Sequence, residues 1–369
     1  MKAMEFVKSN EGMHISSDMP QSDEIVLCSN CFLDEGLKLE SLKIGLNLDS
    51  LCPNCHTNDG RKLSKVLTLI LAKRFFVEGT RRKGKFGINP IIEFNQYQYK
   101  KSDINFQEWI KNDVKLIAEV VKIGFFHYGP RLWMLGQIEP LKSLVSKEKR
   151  KSVVEQIIRT YPKRILSLNE TFYRLRKNPK NPSMFYEFDS PPNPGGGRLD
   201  SDGLSIMYAS QDMEVCVHEC RATIEDDLYV ATLSPEKELK LIDLTELIEE
   251  ENVNEFNSMD LAMQMLFFAK DHSYEISRHM SFIIKEAGYD GIIYPSYFSM
   301  VRTGANPFET IMGLSIRRFK HLKEQIKSQT IQNIALFGKP IQEKIVKVKC
   351  INRVILKQVL YDLQFGTIV

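Results

Sequence analysis

Nine consecutive residues, Gly195-Gly196-Gly197-Arg198-Leu199-Asp200-Ser201-Asp202-Gly203, join a run of glycines to one arginine. Glycines let backbone N–H groups approach an anion closely, and a guanidinium forks onto phosphate oxygens. Tyr208 stands ten residues after the arginine, Glu219 follows in a helical stretch, and Ser296 closes Asp290-Gly291-Ile292-Ile293-Tyr294-Pro295-Ser296. Brought together, these side chains would grip a phosphorylated, positively charged substrate. Each also has a plainer reading alone: a flexible loop, a surface carboxylate, a strand-end serine. The turn is not a Walker loop, because no Gly-Lys-Ser/Thr follows it. Nor is it a Rossmann fingerprint, because its glycines are contiguous and a strand comes next. His218 would point about 100° away from Glu219 on an ideal helix, so the two do not form a pair.

A second cluster lies near the N-terminus. Cys28-Ser29-Asn30-Cys31 and Cys52-Pro53-Asn54-Cys55 are two C-x2-C knuckles with 20 residues between them. Thiolates at this spacing close a tetrahedral shell around zinc, and four protein ligands leave no open position for water, so the zinc is expected to be structural. His56 is superfluous to such a shell. Ribbons of this kind often bind nucleic acid, and Arg81-Arg82-Lys83 with Lys85 lies just downstream. A charge run of that size reads more readily as a solvated loop, so nucleic acid is left undecided. An RNase of the paired arginine–histidine type needs a wider spacing than Arg278-His279 or Arg317 to His321 provide.

These residues must be held by a sizeable fold. The chain has 369 residues, 43% hydrophobic and 26% charged, with 50 basic against 47 acidic side chains and a net charge of +3. That is globular composition, long enough for two or three domains, without the charge of a general nucleic-acid binder. The longest apolar run, 66–72, is far short of the ~18 residues that span a bilayer. The first residues, Met1-Lys2-Ala3-Met4-Glu5-Phe6, lack the apolar core of a signal peptide, which points to the cytosol. Seven cysteines, an odd number, argue for metal and free thiols rather than disulfides.

The expected organisation is a loose tail at 1–25, a zinc ribbon at 26–60, a mainly helical domain at 61–162 and a catalytic domain at 163–369. A helix or a buried segment is expected over 63–77, and helices over 105–124, with Trp109, Val114, Ile117, Val120 and Val121 as its apolar stripe, and over 149–161. In the C-terminal half, 171–176 alternates as a strand and a proline-rich loop fills 177–194. Strands are expected at 204–209, 228–233, 239–244, 292–294, 334–337, 345–349 and 354–361. Helices are expected at 213–222, 259–269 and 273–287.

Taken together, the C-terminal pieces resemble the RES domain, an NAD-degrading family named for its arginine, glutamate and serine. The matching pieces are Tyr173-Arg174, the glycine turn at Arg198, Ile206-Met207-Tyr208-Ala209-Ser210, Glu219, Tyr274-Glu275-Ile276-Ser277, the run ending at Ser296, and Arg302-Thr303-Gly304-Ala305-Asn306-Pro307-Phe308. They cover about 165–355. The paired knuckles followed by helices resemble the N-terminal extension (HEPN/RES N-terminal domain) of some RES proteins. One departure is Leu199-Asp200, where the family usually has an aromatic residue and then asparagine.

The resemblance implies an α+β fold: an ADP-ribosyltransferase-like mixed sheet with flanking helices, preceded by the zinc ribbon and helical domain. It implies NAD+ as substrate, cleaved between nicotinamide and ribose, in characterised cases by inorganic phosphate. Arg198, Glu219 and Ser296 would be catalytic, with Gly203, Tyr208, Tyr294 and Arg302 binding substrate. It also implies a toxin or defence effector with a neutralising antitoxin, and a homodimer is compatible with the helical stripes. ADP-ribosyl transfer to a macromolecule is a second reading. A third is a zinc-ribbon nucleic-acid or protein interaction module whose RES domain is inactive.

Overall fold

The computed structural model describes residues 24–84, 87–95, 104–129, 136–269, 271–303, 306–311, 314–360 and 363–369. The expected loose tail at 1–25 lies outside them up to residue 23, as do Lys85 of the basic run and Gly304 and Ala305. The described residues within 13–84, 88–131 and 361–369 form one compact unit, and those within 132–360 another. No helix among the described residues is long and apolar enough to cross a membrane.

In the N-terminal unit, strand β1 (Ile25–Cys28) pairs antiparallel with β2 (Lys62–Ser64), bringing the start of the first knuckle beside the segment that leaves the second. Asp34 caps helix α1 (Glu35–Ile44), accepting the Leu37 N–H at 2.8 Å. Ser64 caps α2 (Lys65–Ala72) in the same way. Beyond α2, a π-type turn at Lys73–Val77 buries Phe75 and Phe76. These two rings pack with Phe106 and Phe125, the latter on β4 (Gly124–His127), which pairs with β3 (Ile92–Asn95). Helix α3 (Lys111–Val121) buries Val114 and Ile117 as its stripe requires. Trp109, expected in that stripe, is instead 58% exposed. A 3-10 turn at Glu108–Ile110 precedes the helix and puts Ile110 inward in its place. The last residues belong to this unit too: the Phe365 N–H donates to the buried Glu40 carboxylate at 3.1 Å, and Val369 packs on the core.

The C-terminal unit opens with helices α4 (Glu139–Val145) and α5 (Lys147–Thr160). The sequence reading groups these with 61–162, but Leu141, Leu144, Val153, Val154 and Ile157 lie in the second unit's core, among residues of α7 (Met259–Phe268) and α8 (Tyr274–Glu286). An apolar stripe demands a partner without naming one, and here the partner is downstream.

The unit is built on one eight-stranded sheet. Its strands are β5 (Lys163–Leu166), β6 (Phe172–Lys177), β7 (Ile206–Ser210), β8 (Leu228–Pro235), β9 (Leu239–Asp243), β10 (Gly291–Pro295), β11 (Gln332–Phe337) and β12 (Val346–Val354). Their order across the sheet is β12-β8-β6-β7-β11-β10-β9-β5. All neighbours are antiparallel except β9 and β10, so the sheet is mixed and the fold α+β. Two strands were expected at 345–349 and 354–361. A single β12 forms instead, because a bulge opposite Thr232/Leu233 keeps pairing with β8 continuous to Val354.

Alternation along three adjacent strands sets up the site. Ile206 on β7, Ile292 and Tyr294 on β10, and Ala335 and Phe337 on β11 face the core carrying α7 and α8, and Tyr208 packs on it. Met207, Ala209, Ile293, Ile334 and Leu336 face the opposite core. Tyr208, Tyr294 and Asn333 therefore share one face of the sheet.

Candidate active site and metal centre

Glu219 ends the short helix α6 (Met213–Glu219), which Asp212 caps by accepting the Val215 N–H at 3.0 Å. Cysteines one turn apart fasten the helix to β6: the Cys216 thiol donates to the Tyr173 carbonyl at 3.3 Å and Cys220 to Leu175 at 3.6 Å. Burial pushes both thiols up, Cys216 to about 12, so they remain protonated donors. Ser296, fully buried just beyond β10, donates its hydroxyl to Glu219 Oε1 at 2.8 Å and accepts the Phe298 N–H at 3.1 Å. Two residues 77 positions apart in sequence thus meet directly. Asn333 Nδ2 donates to the same Oε1 at 2.6 Å. Glu219 itself is exposed, and among the described residues Oε2 has no partner.

Tyr294 lies beneath this cluster, with its ring stacked 5.2 Å from Phe267. Burial first, then the Glu219 charge, push its pKa up, while the Arg198 charge pulls the other way. One buried hydroxyl therefore feels both Glu219 and Arg198. The side chain of Arg198 crosses the C-terminal end of α7. It donates to the Leu266 carbonyl at 3.1 Å, to Ala269 at 2.8 Å and to the Ser273 hydroxyl at 3.5 Å, with its guanidinium 4.9 Å from the Tyr274 ring centre. A cation at a helix C-terminus offsets the carbonyl dipoles there. Three of its five N–H groups are used, and among the described residues Nε and one N–H on Nη2 have no partner.

The glycine turn is braced from within. Tyr208 Oη accepts the Leu199 and Asp200 N–H groups at 2.8 and 3.2 Å and donates to Asp200 Oδ1 at 2.7 Å. Asp200 also accepts the Gly195 N–H. The acid beside the arginine, a departure from the family pattern, is thus a turn cap with its charge already engaged. Arg278 of α8 ties the other side, donating to the carbonyls of Gly195 at 2.8 Å and Gly197 at 2.7 Å. Any side chain at Gly197 would strike the Tyr208 hydroxyl, 2.6 Å from a Cβ built there. Gly203 turns the chain into β7 at φ +83°, in the left-handed region.

Two of the expected binding residues lie apart from this cluster. A Cβ built at Gly203 would have Phe282 as its nearest neighbour among the described residues, at 4.0 Å, and Arg302 pairs with Asp212 at 3.4 Å and with Glu214 at the start of α6. A shallow cavity of about 680 Å³ opens on the outer side of the glycine turn, lined by Gly196, Tyr274, Arg278 and His279 rather than by Glu219. The polar groups of Ser296 and Asn333 converge instead on Glu219, outside this cavity. Sequence reasoning missed Asn333 and Arg278. The available signal for the first was an amide immediately before the apolar strand run Ile334-Ala335-Leu336-Phe337, at a strand position where asparagine is disfavoured.

The four knuckle cysteines converge in the N-terminal unit. Their sulfurs all lie within 4.8 Å of one another, with Cys28–Cys31, Cys28–Cys55 and Cys31–Cys52 at 3.8, 3.4 and 3.5 Å. A metal ~2.3 Å from four tetrahedral sulfurs separates them by ~3.8 Å, so the set fits one ion. Buried Lys62 donates to the carbonyls of Asn58, Asp59 and Gly60 at 2.6, 3.2 and 3.1 Å, fixing the chain as it leaves the second knuckle.

The family model described as the RES domain matches residues 171–306, a span that holds Arg198, Tyr208, Glu219, Tyr294 and Ser296. The chain contains a RES domain over those residues. A solved structure that it matches is described as the crystal structure of the M. tuberculosis MbcT–MbcA toxin–antitoxin complex, at 10% identity and TM-score 0.30, covering 59% of this chain and 93% of that one. No curated protein matches the chain.

Proposed function

We propose that the C-terminal unit cleaves NAD+ between nicotinamide and ribose, with inorganic phosphate as the acceptor. The bond from the anomeric carbon to the pyridinium nitrogen breaks, its electron pair goes to the nitrogen, and nicotinamide leaves neutral without a proton. A phosphate oxygen bonds to that carbon, giving ADP-ribose-1″-phosphate. The transition state carries oxocarbenium-like positive charge, as in glycoside cleavage. Glu219 meets that charge with Oε2, while Ser296 holds Oε1. The two remaining N–H groups of Arg198 take the diphosphate or the attacking phosphate. The Tyr208 hydroxyl is committed to the arginine turn, so its ring alone is offered to substrate, and Tyr294 forms the buried floor.

One observation carries this reading: the 2.8 Å contact of Ser296 with Glu219, inside the segment that matches the RES domain. By the family resemblance, the protein would act as a toxin or defence effector in the cytosol, held in check by an antitoxin. We assign the four cysteines a structural zinc ion, whose chemistry is to cross-link the two knuckles. Purified protein incubated with NAD+ and phosphate is expected to yield nicotinamide and the 1″-phosphate by mass spectrometry. Free ADP-ribose alone would replace phosphorolysis with hydrolysis. Label transferred to protein or nucleic acid would make the enzyme an ADP-ribosyltransferase, and no nicotinamide release would refute the reading.

A further inference from the structure

We propose that Asn333 is a positioning residue for the Glu219 carboxylate, aiming its free oxygen at the reacting ribose; the inference rests on the NAD-cleaving reading of this site. Asn333 sits on β11, paired across the sheet with Tyr294 on one side and Ser210 on the other. Its side chain is 3% exposed, fixed by a central strand rather than by a loop. From there Nδ2 reaches Glu219 Oε1 at 2.6 Å. Ser296 reaches the same oxygen from the end of β10 at 2.8 Å. Two donors on one oxygen define the plane of the carboxylate and leave Oε2 as the face open to a substrate.

The contrast with α6 gives the argument its force. Glu219 is the last residue of a seven-residue helix and exposed, so its own backbone does little to fix its side chain. A catalytic carboxylate needs placement within about half an ångström, which rigid supporting groups supply. The sheet provides them through Asn333 and Ser296. The other titratable groups that feel the Glu219 charge are Tyr294 on β10 and Cys216 and Cys220 on α6, and burial first raises all three, so they stay neutral.

The test compares full-length wild type with Asn333→Leu and Asn333→Asp. Asn333→Leu is expected to lower kcat for nicotinamide release by about 10²-fold with KM for NAD+ within ~3-fold, the pattern of a group that acts in the transition state. Asn333→Asp sets a second carboxylate against Glu219 and is expected to move the acid limb of the pH–rate profile to higher pH. Asn333→Gln, which keeps a donor, should recover part of the rate. A crystal structure of Asn333→Leu is expected to show the Glu219 carboxylate swung away from Ser296. Unchanged kcat in Asn333→Leu, or a carboxylate unmoved in its crystal structure, would overturn the proposal. Wild-type protein without any turnover would refute the NAD reading instead, and the crystal structure alone would then judge the positional claim.

Discussion

The two clusters of polar side chains are built on opposite plans. The four-cysteine centre is closed: every sulfur faces the others within 4.8 Å, and Cys28 and Cys52 are fully buried. The Glu219 centre is half open, with one carboxylate oxygen tied by Ser296 and Asn333 and the other left free in an exposed side chain. A closed shell suits holding a fold together, whereas an open one leaves room for a ligand. The cost of the open plan falls on the surroundings, where Tyr208, Asp200 and Arg278 brace the backbone of the glycine turn that carries Arg198.

The contrast is tested most severely by removing the metal. A structural tetrathiolate ion contributes about 10–16 kcal/mol of apparent binding energy in small metal-dependent folds. Chelation, or Cys52→Ser, is expected to abolish the melting transition of the N-terminal unit and to leave a separate transition for the sheet-containing unit. Metal analysis should find one ion per chain in the wild type. Two unchanged transitions after the metal has gone would contradict the closed plan.

A smaller effect is expected within the glycine turn. Tyr208→Phe deletes a hydroxyl that accepts two N–H groups and donates to an Asp200 that is 2% exposed. Leaving such groups unpaired costs about 2–3 kcal/mol. Urea denaturation of the C-terminal unit would measure it. A loss under about half a kcal/mol would show that the turn does not depend on this brace.

The smallest effect concerns Glu40 in the N-terminal unit. Burial opposes its ionisation. Lys43 at 2.6 Å, the Phe365 N–H and Arg74 at 3.3 Å outweigh that and hold its carboxyl below the usual carboxylate range. A lowered folded pKa gives stability that is present above the unfolded value near 4.5 and lost as pH falls through the folded one. Glu40→Gln is expected to cost about 1–2 kcal/mol at pH 7, since Lys43 and Arg74 can rehydrate. The gap between variant and wild type should narrow below pH ~4 in urea titrations. A gap that widens in acid would reverse the sign of this argument.

The knuckles were legible because their chemistry is local: two pairs of cysteines, each within one tight turn, identify the centre without any fold. The Glu219 carboxylate was not legible in that way. Nothing in Val215-Cys216-Val217-His218-Glu219 distinguishes a catalytic acid from a surface one, and only the resemblance to the RES domain joined it to Ser296. The strands at 171–176, 204–209, 228–233 and 239–244 were readable from alternation to within about two residues. The placement of α4 and α5 was not, because an apolar stripe does not say which core it will meet. Asn333 escaped notice because its importance comes from register: only when β11 pairs between β10 and β7 does its amide stand under Glu219.

The central claim is that the exposed carboxylate of Glu219, held by its buried neighbours, stabilises the positive charge that develops as nicotinamide leaves. Its most direct test is the rate of nicotinamide release from NAD+ in saturating phosphate by wild type and Glu219→Gln, with matching melting curves to show that both are folded. The account expects release by the wild type and a loss of at least ~10³-fold in the variant. Equal rates in the two proteins would contradict it.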